Sequence, residues 1–173
     1  MDIEQMLRGV KDGEISIEQG KTMISNLAFE DIGYARIDHH REIRQGVPEV
    51  VYCEGKTGEQ VRGIAERLAE TAKSNVLLTR LDPEKFDFVA HIPGIEYYAD
   101  GQIAIIWRGE NDAQGDIAIC AAGTSDLRVA EEAALTALAL GSNVSRYYDV
   151  GVAGIHRLFA SIEDIRKANV VVA

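Results

Sequence analysis

Cysteine is scarce in this sequence: Cys53 and Cys120 stand far apart, and no Cys-x-x-Cys spacing occurs. That scarcity excludes a disulfide framework and a zinc knuckle. Runs of lysine and arginine are missing too, and the formal net charge is -10. Nucleic acid is therefore a poor partner, because its capture rests on basic patches that neutralise phosphates. Any phosphate must be held by local dipoles, since the overall field repels anions. No apolar run approaches the roughly 18 residues of a spanning helix, so no membrane partner is expected. The opening residues, Met1-Asp2-Ile3-Glu4-Gln5, are acidic and polar, unlike a signal peptide. The expectation is a cytoplasmic protein. What is present is 173 residues, 46% of them hydrophobic and 27% charged, enough for one large or two small domains.

Hydrophobic spacing supplies the elements. Ile3, Met6, Leu7 and Val10 predict a short amphipathic helix over 2–12, stopped at Gly13. Ser16-Ile17-Glu18-Gln19 and Thr57-Gly58-Glu59-Gln60 both have capping-box spacing. The first predicts a helix to Asn26. The second opens a helix with the stripe Val61, Ile64, Leu68 and Ala72. Tyr34 to Asp38 alternates like a strand, Glu49 to Cys53 reads as a buried strand, and Val76 to Thr79 reads as its parallel neighbour across the helix. A short helix over 83–89 and a strand over 102–107 complete a small α/β domain. After a polar, turn-rich stretch the pattern becomes strand 116–120, helix 126–140, strand 144–149, helix 157–168 and strand 170–172. That βαβαβ order is the opening half of a doubly wound sheet. The helix over 126–140 is more apolar than one-sided burial requires, so it packs on two sides or at a subunit interface. The final Val-Val-Val-Ala suits the inside of a parallel sheet, and the sequence reads as truncated there.

The most informative segment is Ala121-Ala122-Gly123-Thr124-Ser125-Asp126, where a strand ends and a helix begins. The first turn of a helix leaves backbone N–H groups unpaired, and its dipole favours negative charge. Gly123 allows close approach, and the Thr124 and Ser125 hydroxyls add donors, so a phosphate is the expected guest. Asp126 suits a ribose hydroxyl or an amine. Gly151-Val152-Ala153-Gly154-Ile155-His156-Arg157 is the loop after the next strand. In an open α/β sheet both loops face the crevice beyond the carboxyl ends. Arg157 can grip phosphate through two donors. Against this, Ser and Asp are ordinary caps, and a lone His156 by spacing alone is more often a cap than a catalyst.

These residues resemble a known family. Ala122-Gly123-Thr124-Ser125-Asp126, the Ala-rich helix with Glu131-Glu132, the run from Tyr148 through His156-Arg157 and the closing valines resemble the LarB family. The C-terminal domain of that family is similar to PurE, the aminoimidazole ribonucleotide carboxylase or mutase. Gly33 to Arg41, Pro48 to Tyr52 and Glu54-Gly55-Lys56-Thr57 resemble the LarB-specific segment that PurE lacks. The resemblance implies an α/β protein. It would comprise a helical appendage over 1–28, a LarB-type α/β domain over 29–110, a linker over 111–115 and a partial PurE-like, flavodoxin-type parallel sheet over 116–173.

The implied activity is carboxylation of the pyridinium ring of nicotinic acid adenine dinucleotide, with phosphoanhydride hydrolysis releasing AMP. This is a step of nickel-pincer nucleotide synthesis. Carbon dioxide or bicarbonate is the co-substrate and Mg²⁺ a candidate helper; the resemblance implies no other cofactor and a homo-octamer. It implies His156 and Asp126 as catalytic residues, and Gly123, Thr124, Ser125, Asp126, Gly154 and Arg157 as phosphate and substrate contacts. Family-specific candidates are Asp38, His40, Arg41 and Lys56. The family's ring-attacking cysteine lies in a segment beyond this sequence, and neither Cys53 nor Cys120 matches it. Asp38-His39-His40 is not read as a metal site, because adjacent residues in an extended segment point to opposite sides. Two alternatives stand beside this reading: PurE-type activity on aminoimidazole ribonucleotide, and a non-catalytic nucleotide-binding module. The acidic pair Glu131-Glu132 is expected to be solvated or interfacial, and Tyr148 and Trp107 to pack rather than stack on a ligand.

Overall fold

The computed structural model describes residues 3–26, 29–38, 49–108 and 113–173. The chain forms two compact units, Met1–Val47 and Pro48–Ala173. The stretch expected as a linker, 111–115, thus falls inside the second unit.

In the first unit, α1 (Ile3–Lys11) and α2 (Ile17–Asn26) form a helical hairpin. Gly13, at φ 78°, ends the first turn of connection in the left-handed region. The Ser16 box closes as the spacing predicts: Gln19 N–H donates to Ser16 Oγ at 3.1 Å, and Ser16 N–H donates to Gln19 Oε1 at 2.9 Å. Two two-residue strands follow, β1 (Glu30–Asp31) and β2 (Arg36–Ile37), paired antiparallel. Asp31 Oδ1 accepts from Gly33 N–H at 2.8 Å and shapes the turn between them.

The second unit opens with β3 (Val50–Tyr52), α3 (Gly58–Thr71), β4 (Val76–Thr79), the short α4 (Pro83–Phe86), β5 (Ile95–Tyr98) and β6 (Ile103–Ile106). The four strands form one sheet in the order β3-β4-β6-β5. The β3–β4 pair is parallel, as the capped crossover helix requires, and β6 is antiparallel to both β4 and β5. The central strands β4 and β6 are buried at every position. The expectation of a buried β3 is corrected. It is an edge strand, with Val51 inside and Val50 and Tyr52 facing out.

The chain continues through β7 (Asp116–Cys120), α5 (Leu127–Ala139), β8 (Asn143–Tyr147), α6 (Ile155–Ile165) and β9 (Val170–Val172). These strands form a fully parallel sheet in the order β8-β7-β9. That is the 2-1-3 core of a flavodoxin-type fold, and the fold is α/β throughout. All three valines of β9 are at least partly open to solvent.

Helix α5 explains its own composition. Ala130 and Ala134 pack with Ile119 and Ala121 of the parallel sheet. Leu135 and Ala139 pack with Leu77, Ile103 and Ile105 of the mixed sheet. One helix therefore serves two sheets, which is the two-sided burial its sequence demanded. At Gly101 the β5–β6 turn meets the helix backbone: a Cβ there would stand 3.2 Å from Glu132 N and 3.3 Å from Glu131 C. A side chain would push the sheet off the helix.

Polar ties fix the same helix. Asn75, 2% exposed, donates to Ala139 O at 2.9 Å and accepts from Arg108 N–H at 2.9 Å. It satisfies a helix-end carbonyl and a strand-end amide together. Arg80 Nε donates to Glu132 Oε2 at 2.6 Å, and Arg146 Nε to Glu131 Oε1 at 3.0 Å. The acidic pair is thus mostly covered, each carboxylate reaching toward a different sheet. Replacing Asn75 by Leu should cost about 3 kcal/mol, from the loss of both bonds to backbone partners. The measurable result is a fall in Tm of about 10 °C by calorimetry, with the far-ultraviolet spectrum unchanged at 20 °C.

Candidate functional site

The site starts from strand direction. Helix α5 returns between two parallel strands, so it runs against β7. Asn75, before β4, touches the C-terminal end of α5, while Arg80, after β4, touches Glu132 nearer its start. So β4 also runs against α5, and the carboxyl ends of β3, β4, β7 and β8 lie at one end of the unit. That shared end carries the turns holding Lys56, Gly123–Asp126 and Gly154–Arg157.

The two turns expected to share a crevice are in direct contact. Ala121 N–H donates to Tyr147 O at 3.0 Å, and Val150 N–H donates to Ala121 O at 3.1 Å. A Cβ on Gly151 would stand 2.9 Å from Ala122 O and 3.2 Å from Ala122 Cβ. Glycine at 151 is what lets the second turn lie against the first.

The first turn is a single 3-10 turn, Thr124–Asp126, leading straight into α5. Its donors are engaged by its own carboxylate. Gly123 N–H donates to Asp126 Oδ2 at 3.0 Å, and Ser125 Oγ donates to Asp126 Oδ1 at 3.2 Å. Asp126 thus closes a capping arrangement on Gly123, as a helix start alone would require.

In the second turn Arg157 Nη1 donates to Asp149 Oδ2 at 2.5 Å. The guanidinium folds across Gly154, where a Cβ would stand 2.8 Å from Nε and 2.9 Å from Nη2. His156 is exposed on the first turn of α6. Sequence reasoning missed Asp149. Its signal was its place directly after a parallel strand, at φ 59°, a left-handed conformation that Asp and Asn tolerate better than most residues.

Lys56 follows a turn in which Lys56 N–H donates to Cys53 O, and Lys56 Nζ donates back to Tyr52 O at 2.6 Å. The Thr57 box closes reciprocally with Gln60. Asp38 directly follows β2 in the first unit. His40 and Arg41 lie outside the described residues.

Neither thiol is poised for attack. Cys53 is fully buried and its Sγ approaches Val51 O at 3.5 Å. Burial pushes its pKa up to about 12. Burial also raises the Cys120 thiol. Tyr148 packs beside the Ile119 cluster and donates to Glu131 Oε1 at 2.6 Å. Burial first, then that carboxylate, pushes its phenol up to about 12. Trp107 packs on the mixed sheet and reaches Glu96 with its indole N–H at 3.2 Å. Both aromatics are structural, as expected. Among the described residues no three His, Cys, Asp or Glu side chains converge as a metal cage. Among them, too, no helix is long and apolar enough to cross a membrane.

The comparisons agree with this architecture. A family model described as the LarB/PurE-like N-terminal domain matches residues 29–108. An uncharacterized protein of Methanocaldococcus jannaschii is 32% identical over 179 residues, covering 98% of this chain and 69% of that protein. The chain belongs to the LarB family. LarB membership gives it a place in a carboxylase- and mutase-related group of enzymes.

Iodoacetamide at pH 8 should leave Cys53 unlabelled in the folded chain and modify Cys120 more slowly than free cysteine, with both labelled in denaturant; intact mass reads the result. Tyr148 has a raised folded pKa, so its contribution to stability is full below pH 10 and is lost as pH rises toward about 12. Tyr148→Phe should therefore flatten the decline of stability between pH 10 and 12, followed by urea unfolding at each pH.

Proposed function

We propose that this LarB-family chain carboxylates the pyridinium ring of nicotinic acid adenine dinucleotide and hydrolyses its phosphoanhydride, releasing AMP. The observation that supports the reading is the contact between the two turns, Gly151 on Ala122. One phosphorylated ligand can reach the Gly123–Asp126 donors and Arg157 together.

In this reading a phosphoryl group displaces the Asp126 carboxylate from Gly123 N–H and Ser125 Oγ. Thr124 and Arg157 add donors, and Gly154 leaves room for the guanidinium. The released Asp126 then turns to a ribose hydroxyl or the ring. A pyridinium is electron-poor and does not attack carbon dioxide unaided. Addition of a nucleophile gives an enamine-like ring whose carbon forms the new bond to carbon dioxide. Loss of the proton from that carbon and departure of the nucleophile restore aromaticity. His156, exposed beside the turns, is assigned to proton transfer. The Cys53 and Cys120 thiols are not assigned as nucleophile, since burial raises both.

Lys56 is assigned to a second anionic group of the substrate. Mg²⁺ carried on the phosphates would need only one or two carboxylates, and Asp126 lies in the first turn. An octamer is the proposed assembly. The exposure of Val129 on α5, of Leu140 just after it, and of Ile155 and Phe159 on α6 supports self-association.

The match to a LarB-type domain over residues 29–108 disfavours aminoimidazole ribonucleotide as the substrate, because PurE lacks that segment. The test is incubation with nicotinic acid adenine dinucleotide and isotope-labelled bicarbonate, with chromatography and mass spectrometry as readouts. The expected result is AMP release with one labelled carboxylate on the pyridinium product. Consumption of aminoimidazole ribonucleotide instead, or dinucleotide binding without turnover, would overturn the proposal.

A further inference from the structure

We infer that Asp149 is a positioning residue, which holds the Arg157 guanidinium in the frame of the phosphate turn. The inference rests on the substrate reading above and adds a residue to it.

The Asp149–Arg157 ion pair lies at the surface. Both side chains are well exposed, 43% for Arg157 and 62% for Asp149. Pairs this exposed contribute little to stability. Asp149 nevertheless adopts φ 59°, a conformation that L residues seldom take. The same conformation turns the chain out of β8 so that the next residue, Val150, donates to Ala121 O at 3.1 Å. Asp149 is thereby fixed to the end of β7, one residue from where the Ala122–Asp126 turn begins.

The carboxylate then reaches eight residues along the chain to Arg157 Nη1. Arg157 comes from a different element, α6, and its long side chain would otherwise sample many rotamers. Only one nitrogen is taken. Among the described residues, Nε and Nη2 make no hydrogen bond, and both lie over the bare face of Gly154. A guanidinium anchored at one nitrogen and open at two is oriented for an oxyanion. The tether to the β7 end sets where that open edge stands relative to Gly123 and Ser125. Ordering the fork before the ligand arrives removes an entropy cost from binding.

The experiment measures the affinity of the full chain for nicotinic acid adenine dinucleotide by isothermal titration calorimetry. Wild type, Asp149→Asn, Arg157→Ala and the double variant are compared, each with its melting temperature. Asparagine accepts the left-handed backbone, so Asp149→Asn keeps the fold and removes only the charge. The expected result is a loss of about tenfold for Asp149→Asn with Tm within about 2 °C of wild type, a larger loss for Arg157→Ala, and no further loss in the double variant, since the carboxylate acts only through Arg157.

Wild-type affinity in Asp149→Asn would overturn the inference while leaving the substrate reading intact. Tighter binding would also overturn it, making the carboxylate a competitor for the phosphate. Additive losses, or a lower Tm that accounts for the weakened binding, would overturn it as well. Failure of wild type to bind the dinucleotide would overturn the substrate reading and this inference together.

Discussion

Helix α5 is the interior of two sheets at once. Ala130 and Ala134 lie on the parallel sheet, and Leu135 and Ala139 lie on the mixed one. Neither sheet can be completed without it, because each contributes one apolar face to the same thirteen residues. Small side chains permit this. Alanines on both faces let the sheets approach, and Leu135 fills the mixed-sheet side. The approach of Gly101 to the Glu131–Glu132 backbone belongs to the same constraint. The head of the helix is also where the Gly123–Asp126 turn begins, so packing and the candidate site share one element.

Much of this was legible in the sequence. The period-2 and 3.6 patterns in residues 116–172 returned every element of the parallel sheet. The two capping boxes were correct to the residue, because Ser16-Gln19 and Thr57-Gln60 carry reciprocal local bonds that need no tertiary context. The excess of alanine and leucine in α5 announced two-sided burial. Less visible was β5, Ile95–Tyr98, whose glutamate and tyrosines look like a loop until it pairs with β6. Residues 50–52 looked buried because valine and tyrosine favour strands in any position. Only strand order shows that they form an edge.

The candidate site was half legible for a similar reason. A glycine, two hydroxyls and an acid at a strand-to-helix junction have a local meaning. The partners of those groups depend on distant geometry. Asp126 reads in the sequence as a partner for a ribose hydroxyl or an amine, or as a cap, and is folded onto its own turn in the structure. Glu131 and Glu132 read as solvated or interfacial, and they bind Arg146 and Arg80. Asp149 gave no residue-type signal, since its role depends on a left-handed φ and on an arginine brought from the next helix.

The buried Asn75 and the Arg80–Glu132 pair attach β4 to α5 at two points along the helix. A slide of α5 past the sheet by a single turn, about 5.4 Å, would break both together. The two ties set the register of strand against helix, so the helix that carries the Gly123–Asp126 turn at its head is pinned to the mixed sheet along its length.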